Sequence, residues 1–294
     1  MAISKVGVLG CGLMGHGISQ MCAQQGWDVV VREIDQAQLD KGMGKIEKQL
    51  ARAVEKGRME QSDADAVRGR ITTTLEYSDL ADCDLVIEAI TEDLDRKLEM
   101  WREVDELVKD DAYLATNTSS LSVATQADAT KRPERMIGLH FFNPPQVMPL
   151  LEVVRADDSA DDAVALGFEI GEALGKTTVA AGDNRGFIVN RLLVPYMLDA
   201  IRANEEGVGS ISDIDTGMMA GASHPMGPLT LADFVGLDTL VAIADVMVDA
   251  YGEDRFAAPD TLKKMVDAGD FGRKSGKGFY DYSGDKPVPV DAGD

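Results

Sequence analysis

Cysteine, histidine and basic side chains are all scarce in this sequence, and each scarcity removes a class of function. Cys11, Cys22 and Cys83 are the 3 cysteines of 294 residues. They have neither the even count of a disulfide framework nor the spacing of a zinc site, which fits a reducing cytoplasm. Lys and Arg number 29 against 51 Asp and Glu, a formal net charge of -22. Such a surface repels phosphate, so neither nucleic-acid binding nor docking on an anionic membrane is expected, because both need basic footprints. Acidic pairs are scattered (Asp63/Asp65, Asp157/Asp158, Asp161/Asp162, Glu205/Glu206) rather than gathered in a tail. Adaptation to high salt and an ordinary solubilising surface both produce that pattern. No apolar run approaches membrane-spanning length, and Met1 to Lys5 leads into a strand without the apolar stretch of a signal peptide. A soluble intracellular protein is expected.

What is present is a globular composition, 45% hydrophobic and 27% charged, in a chain long enough for one large and one smaller domain. Lys5 to Leu9 reads as a short strand ending in glycines, and Ile18, Met21, Cys22 and Ala23 beyond them repeat at helical spacing. Val29-Val30-Val31, within Asp28 to Arg32, reads as a second buried parallel strand, which completes a βαβ unit. A long charged helix over about 36–58 follows, and Ser62 to Asp65 is suited to cap another, giving a helical hairpin over about 36–69. Further strands are expected at Ile71 to Thr74, Asp84 to Ile90, Tyr113 to Thr116, Arg135 to Phe142, Pro149 to Val154 and Lys176 to Ala180. Helices alternate with several of them, which implies a mainly parallel sheet.

Ala181 to Gly186 is turn-rich, and beyond it the pattern becomes helical, at about 187–206, 212–221, 228–251 and 259–268. The expected architecture is α/β, a Rossmann-type domain over 1–185 followed by an all-α domain over 186–294. Phe271 to Tyr282, rich in glycine and aromatics, is expected to pack back on the body, and the residues beyond Ser283 to fray.

The glycine turn Gly10-Cys11-Gly12-Leu13-Met14-Gly15 follows a strand and opens a helix, and Glu33 stands at the end of the next strand. That context makes it a dinucleotide site. Gly10 permits the tight turn, Gly12 lets the pyrophosphate approach, and Gly15 allows close packing, with the helix N-terminus facing the phosphates. Glu33 can accept from both ribose hydroxyls and would repel a 2′-phosphate, which favours NAD over NADP; the adjacent Arg32 argues the other way.

Only His16, His140 and His224 are available as an imidazole base. His140 sits at a strand end in Gly138-Leu139-His140-Phe141-Phe142-Asn143-Pro144-Pro145, where open α/β sheets bind ligands; a packed core histidine reads the same way. Ser119 can be a helix cap, Glu152 a surface charge, Lys56 a solvated residue and Asn143 a turn former before proline. His16 is expected beside the cofactor or facing solvent, and His224 in a turn.

With these segments in hand, the sequence resembles the short-chain L-3-hydroxyacyl-CoA dehydrogenases, including the 3-hydroxybutyryl-CoA dehydrogenases, over nearly its whole length. The resemblance rests on the glycine turn, Glu88-Ala89-Ile90-Thr91-Glu92, Asn117-Thr118-Ser119-Ser120, His140 to Pro144, Gly186 to Arg191, Gly221 to Pro228 and Gly276 to Tyr280. It implies His140 as general base, Glu152 as its orienting carboxylate, and Ser119 and Asn190 holding the substrate. Gly10, Gly12, Leu13, Met14, Gly15, Glu33, Glu92, Lys97, Asn117 and Asn143 are implied on the NAD side, and Lys56 on the CoA side. It also implies an acyl-CoA substrate and a homodimer formed through the helical domain, for which Leu229 to Val248 offers an apolar surface, an intramolecular core being the alternative. Asp93, Gln49 and Pro145-Gln146 depart from the family's usual residues. A related hydroxyacid or sugar-acid dehydrogenase without CoA, and a non-catalytic binding or structural protein on the same fold, are the rival readings.

Overall fold

The computed structural model describes residues 3–290. They form two compact units that divide between Phe187 and Ile188.

The first unit is built on one sheet of eight strands in the order β3-β2-β1-β4-β5-β6-β7-β8. These are β1 (Lys5–Leu9), β2 (Asp28–Arg32), β3 (Ile71–Thr74), β4 (Leu85–Glu88), β5 (Tyr113–Thr116), β6 (Met136–Phe141), β7 (Leu150–Arg155) and β8 (Thr177–Gly182). The helices are α1 (Gly15–Gln24), α2 (Gln36–Glu55), α3 (Gln61–Gly69), α4 (Leu94–Leu107), α5 (Val123–Ala127) and α6 (Asp161–Ala173). All neighbouring strands run parallel except β6 and β7, which are antiparallel. The carboxyl ends of β1, β2, β4, β5 and β6 therefore share one edge, and β7 begins there.

Side chains alternate across the strands because the pleat has a period of two. Val6, Val8, Val29, Val31, Leu85, Ile87, Ile137, Leu139 and Leu151 enter one buried layer with residues of α1, α2, α3 and α6. Val30, Val86, Leu114, Met136 and Val154 enter the other, with Trp101 of α4 and Val123 of α5. His140 and Glu152 fall on the second face, two places from Gly138 and Val154 respectively.

Two expected caps move. Ser62 lies inside α3, behind Glu60, so it does not start the helix. Ser119 does not cap α5 either: Ser122 does, accepting from Thr125 N–H, while Asp183 accepts from the N–H groups of Val123 and Ala124.

The second unit contains α7 (Val189–Glu205), α8 (Ile211–Ala222), α9 (Pro228–Val235), α10 (Leu237–Tyr251) and α11 (Asp260–Asp267). The helix expected over 228–251 is two helices, because Gly236 adopts φ 99°, a left-handed value that no helix continues through. The fraying expected beyond Ser283 is replaced in part by a ribbon, β10 (Val288–Pro289) against β9 (Tyr280–Asp281); residues 291–294 lie outside the described residues. Two buried acids tie the glycine- and aromatic-rich tail to this unit's own core. Asp233 accepts from the N–H groups of Phe279 and Tyr280, and Asp215 accepts from Leu229 N–H, Thr230 and the Tyr280 hydroxyl. His224 follows α8 in a loop, its Nδ1 2.9 Å from the Tyr196 hydroxyl.

Candidate active site

The glycine turn joins β1 to α1. Gly10 has φ 93°, and a Cβ there would lie 2.5 Å from the Ala89 carbonyl oxygen. A Cβ on Gly15 would lie 1.9 Å from the Gly10 carbonyl oxygen, so this glycine closes the turn on its own backbone. Nothing stands within 4 Å of the Cβ position of Gly12. Among the described residues, the N–H groups of Gly12, Leu13 and Met14 have no partner. Three free donors at a helix N-terminus, beside an open glycine, fit a dinucleotide pyrophosphate.

Glu33 lies just past β2, and its two oxygens accept from Cys11 N–H at 2.9 Å and Ile34 N–H at 2.7 Å. A carboxylate pinned at the turn in this way suits ribose hydroxyls and disfavours a 2′-phosphate. Arg32, the residue that argued for NADP, is committed elsewhere: its guanidinium stacks 3.8 Å over the Tyr77 ring and donates to the Leu75 carbonyl. Cys11 is buried with its thiol pushed up to about 12 by desolvation, so it is a small packing group rather than a redox centre.

A second cluster follows β4 and β5. Glu88, fully buried, accepts from Lys97 Nζ at 2.8 and 2.7 Å, from the Thr116 hydroxyl at 2.6 Å and from Ile90 N–H. Lys97 is 2% exposed and also lies 3.2 Å from Glu92. Its ammonium is thus turned to two carboxylates. Glu92 in turn accepts from the Thr118 hydroxyl and from the N–H and hydroxyl of Ser119. Burial pushes the Glu92 pKa up, but Lys97 and these donors outweigh it and hold the carboxyl below its ordinary value. Sequence reasoning missed Glu88; the signal was an acid closing an apolar strand. Asn117 follows β5, and its Oδ1 accepts from Phe141 N–H at 2.9 Å, tying this loop to β6.

His140 and Glu152 are register partners across β6 and β7. Glu152 Oε2 lies 2.6 Å from His140 Nδ1, with the histidine 5% exposed and the glutamate fully buried. Phe142 and Phe187 pack against the ring at centroid distances of 4.5 and 5.4 Å. A carboxylate only accepts, so Nδ1 carries the proton and Nε2 presents its lone pair. Asn143 is exposed in the following loop.

The remaining expected residues are placed as follows. Asn190 is the second residue of α7, half-buried in the second unit. Lys56 is exposed at the C-terminus of α2. Gln49, also on α2, accepts from Gln146 at 2.8 Å and lies 3.4 Å from His16 Nε2. His16 is buried, not solvent-facing, with Nδ1 2.7 Å from the Gly12 carbonyl oxygen.

Residues 5–184 match the NAD-binding domain of 3-hydroxyacyl-CoA dehydrogenase, and residues 186–282 match its C-terminal domain. The chain is 47% identical over 283 residues to a 3-hydroxybutyryl-CoA dehydrogenase of Mycobacterium tuberculosis, covering 96% of this chain and 99% of that one. The crystal structure of FadB2 from M. tuberculosis superposes with a TM-score of 0.93 at 47% identity, over 96% of this chain and 100% of the other. The (S)-3-hydroxybutyryl-CoA dehydrogenase PaaH1 of Ralstonia eutropha gives 0.92 at 38% identity, again over 96% and 100%. The chain belongs to the 3-hydroxyacyl-CoA dehydrogenase family.

Proposed function

We propose that this protein catalyses the reversible NAD-dependent oxidation of (S)-3-hydroxyacyl-CoA, with 3-hydroxybutyryl-CoA as substrate, to the 3-oxoacyl-CoA. The observation that carries the reading is the cross-strand pair of His140 and Glu152. Nε2 takes the proton of the 3-hydroxyl, and Glu152 on Nδ1 stabilises the imidazolium that forms. NAD, when bound, supplies the hydride acceptor. Ser119, held by Glu92, and Asn190 from the helical unit orient the hydroxyl and the developing carbonyl oxygen. Gly10, Gly12, Leu13, Met14, Gly15 and Glu33 hold the cofactor's adenosine and pyrophosphate, and Glu92, Asn117 and Asn143 its nicotinamide side, with Lys97 positioning Glu92.

The CoA moiety is a polyanion, and α2 is suited to it. Lys41, Lys45, Lys48, Arg52 and Lys56 recur at intervals of four, three, four and four, so they line one face of α2 and its C-terminus. Four are exposed, Lys45 is half-buried, and among the described residues none pairs with a carboxylate. A row of free cations on a chain of net charge -22 favours a phosphate-bearing thioester over a free hydroxyacid.

On this reading residues 1–185 hold NAD and carry the base, Ser119 and the basic row of α2, and 186–294 add Asn190 and the dimer contacts. Exposed Leu192, Val208 and Phe234 in the helical unit support a homodimer. Three buried free cysteines fit a cytoplasmic setting, and no helix of the described residues is long and apolar enough to cross a membrane. NADH formation from (S)-3-hydroxybutyryl-CoA, compared with its enantiomer, longer chains and the free acid, tests the reading. No turnover with any thioester would sink it.

A further inference from the structure

We infer that His16 is a positioning residue for the dinucleotide turn: its ring, held by Gln49 and Gln146, fixes the Gly12–Leu13 peptide with its N–H aimed at the cofactor's pyrophosphate. The inference rests on the NAD-binding reading and assigns a role to a side chain that the hydride transfer itself does not use.

A carbonyl oxygen only accepts, so the 2.7 Å contact between His16 Nδ1 and Gly12 O requires the proton on Nδ1. Burial depresses the His16 pKa, which favours the neutral ring, so Nε2 is an acceptor. Gln49 Nε2 faces that nitrogen at 3.4 Å, and Gln49 Oε1 accepts from Gln146 Nε2 at 2.8 Å. Donors thus run in one direction, from Gln146 through Gln49 and His16 to Gly12 O.

The far end of this chain is anchored. A Cβ on Gly17 would come within 2.5 Å of both Pro145 and the Gln146 amide, so these two residues lie directly on α1. Lys176 donates to the carbonyls of Pro145 and Met148, which clamps the same loop. That loop connects His140 to Glu152.

At the near end, the Gly12–Leu13 peptide is trans, so its N–H points opposite to its C=O. With the carbonyl held inward by His16, the Leu13 N–H is directed outward, where it has no partner. Met14, at the start of α1, supplies no side-chain cap, so the imidazole is the side chain that holds the Gly12 carbonyl at this end of the helix. Phosphate affinity therefore depends on a contact made from behind the turn, through a chain that ends in the loop beside the base.

Calorimetric titration with ADP-ribose tests this without turnover. His16→Ala is expected to weaken ADP-ribose binding about tenfold, the loss of one well-placed hydrogen bond. His16→Asn, whose amide nitrogen takes the place of Nδ1, should return the Kd to within about threefold of the parent. In steady state the KM for NAD should rise while that for the thioester stays. Wild-type ADP-ribose affinity in a folded His16→Ala would overturn the inference, as would a folded His16→Asn that binds no better than the alanine variant. A parent protein that binds no ADP-ribose would instead overturn the NAD assignment.

Discussion

His140 and Glu152 face each other across the one antiparallel pairing in the large sheet, with Nδ1 2.6 Å from Oε2. Twelve residues apart in sequence, they become neighbours because directly paired residues of adjacent strands project to the same face. The pair is rigid for the same reason: each partner is fixed by a strand, not a loop. His140→Gln is expected to lower kcat by about two to four powers of ten with NADH binding retained. Glu152→Gln leaves the ring without a carboxylate to hold Nδ1–H, and should cost kcat about 10²-fold or more while KM moves little. Stopped-flow NADH formation in both variants checks this, and unchanged turnover in His140→Gln would remove it from the mechanism.

Lys97 and Glu88 form a buried ion pair whose two members respond differently to removal. Lys97→Met leaves Glu88 buried without its cation, and should destabilise the protein by about 3–5 kcal/mol. Replacing both, as Lys97→Met with Glu88→Leu, removes the charge that needed compensation and should recover most of that loss. Urea unfolding of the single and double variants separates the outcomes. Activity should stay low in the double variant, because Glu92 and Ser119 have lost the lysine that holds them.

Strand positions were legible because the strands buried on both faces, such as Val29 to Val31 and Leu85 to Ile87, are continuous apolar runs bounded by turns. Hydropathy is the same read either way, so strand direction is legible only from the connections: the link over 142–149, with Pro144, Pro145 and Pro149, is too short for a parallel crossover, and strand-turn-strand geometry is what brings His140 and Glu152 together. The break at Gly236 was hidden because apolar residues run on through Leu229, Ala232, Leu237 and Leu240 at intervals of three, five and three, so that only the step across the glycine leaves helical spacing. At the site, motifs placed the glycine turn, His140 and Ser119. The pairing of Glu88 with Lys97 and the contacts from Gln146 through Gln49 to His16 were not legible, because each depends on side chains from different elements meeting in space.

Asp84 links the start of β1 to α4's end and makes stability sensitive to acid. Burial would push its carboxyl up, but Lys109 and the N–H groups of Ser4 and Lys5 outweigh that and hold it well below the usual carboxylate range. A folded-state pKa below the unfolded one means that acidification favours the unfolded chain. The contribution is therefore complete above about pH 4 and is lost as pH falls below it. Asp84→Asn should lower stability at neutral pH by about 1–3 kcal/mol and flatten the acid limb of the unfolding curve. Denaturant midpoints measured from pH 7 down to 3 would show no change in slope if the group were solvated.

The basic row on α2 and the acidic remainder of the surface act on CoA with opposite signs and different ranges. Within a Debye length, about 10 Å at 0.1 M salt, the row dominates; beyond it the net charge of -22 repels the substrate. Replacing Lys41, Lys45, Lys48 and Arg52 with glutamine should leave Lys56 alone against the repulsion. The KM for 3-hydroxybutyryl-CoA is then expected to rise about tenfold at low salt and to fall as salt is added. The parent's KM should be flat or rise over the same range, since salt screens its attraction as well. A pantetheine thioester, which carries none of the nucleotide phosphates, should show neither effect. Equal salt profiles for the parent and the fourfold variant would mean that the row does not meet the nucleotide end of the substrate.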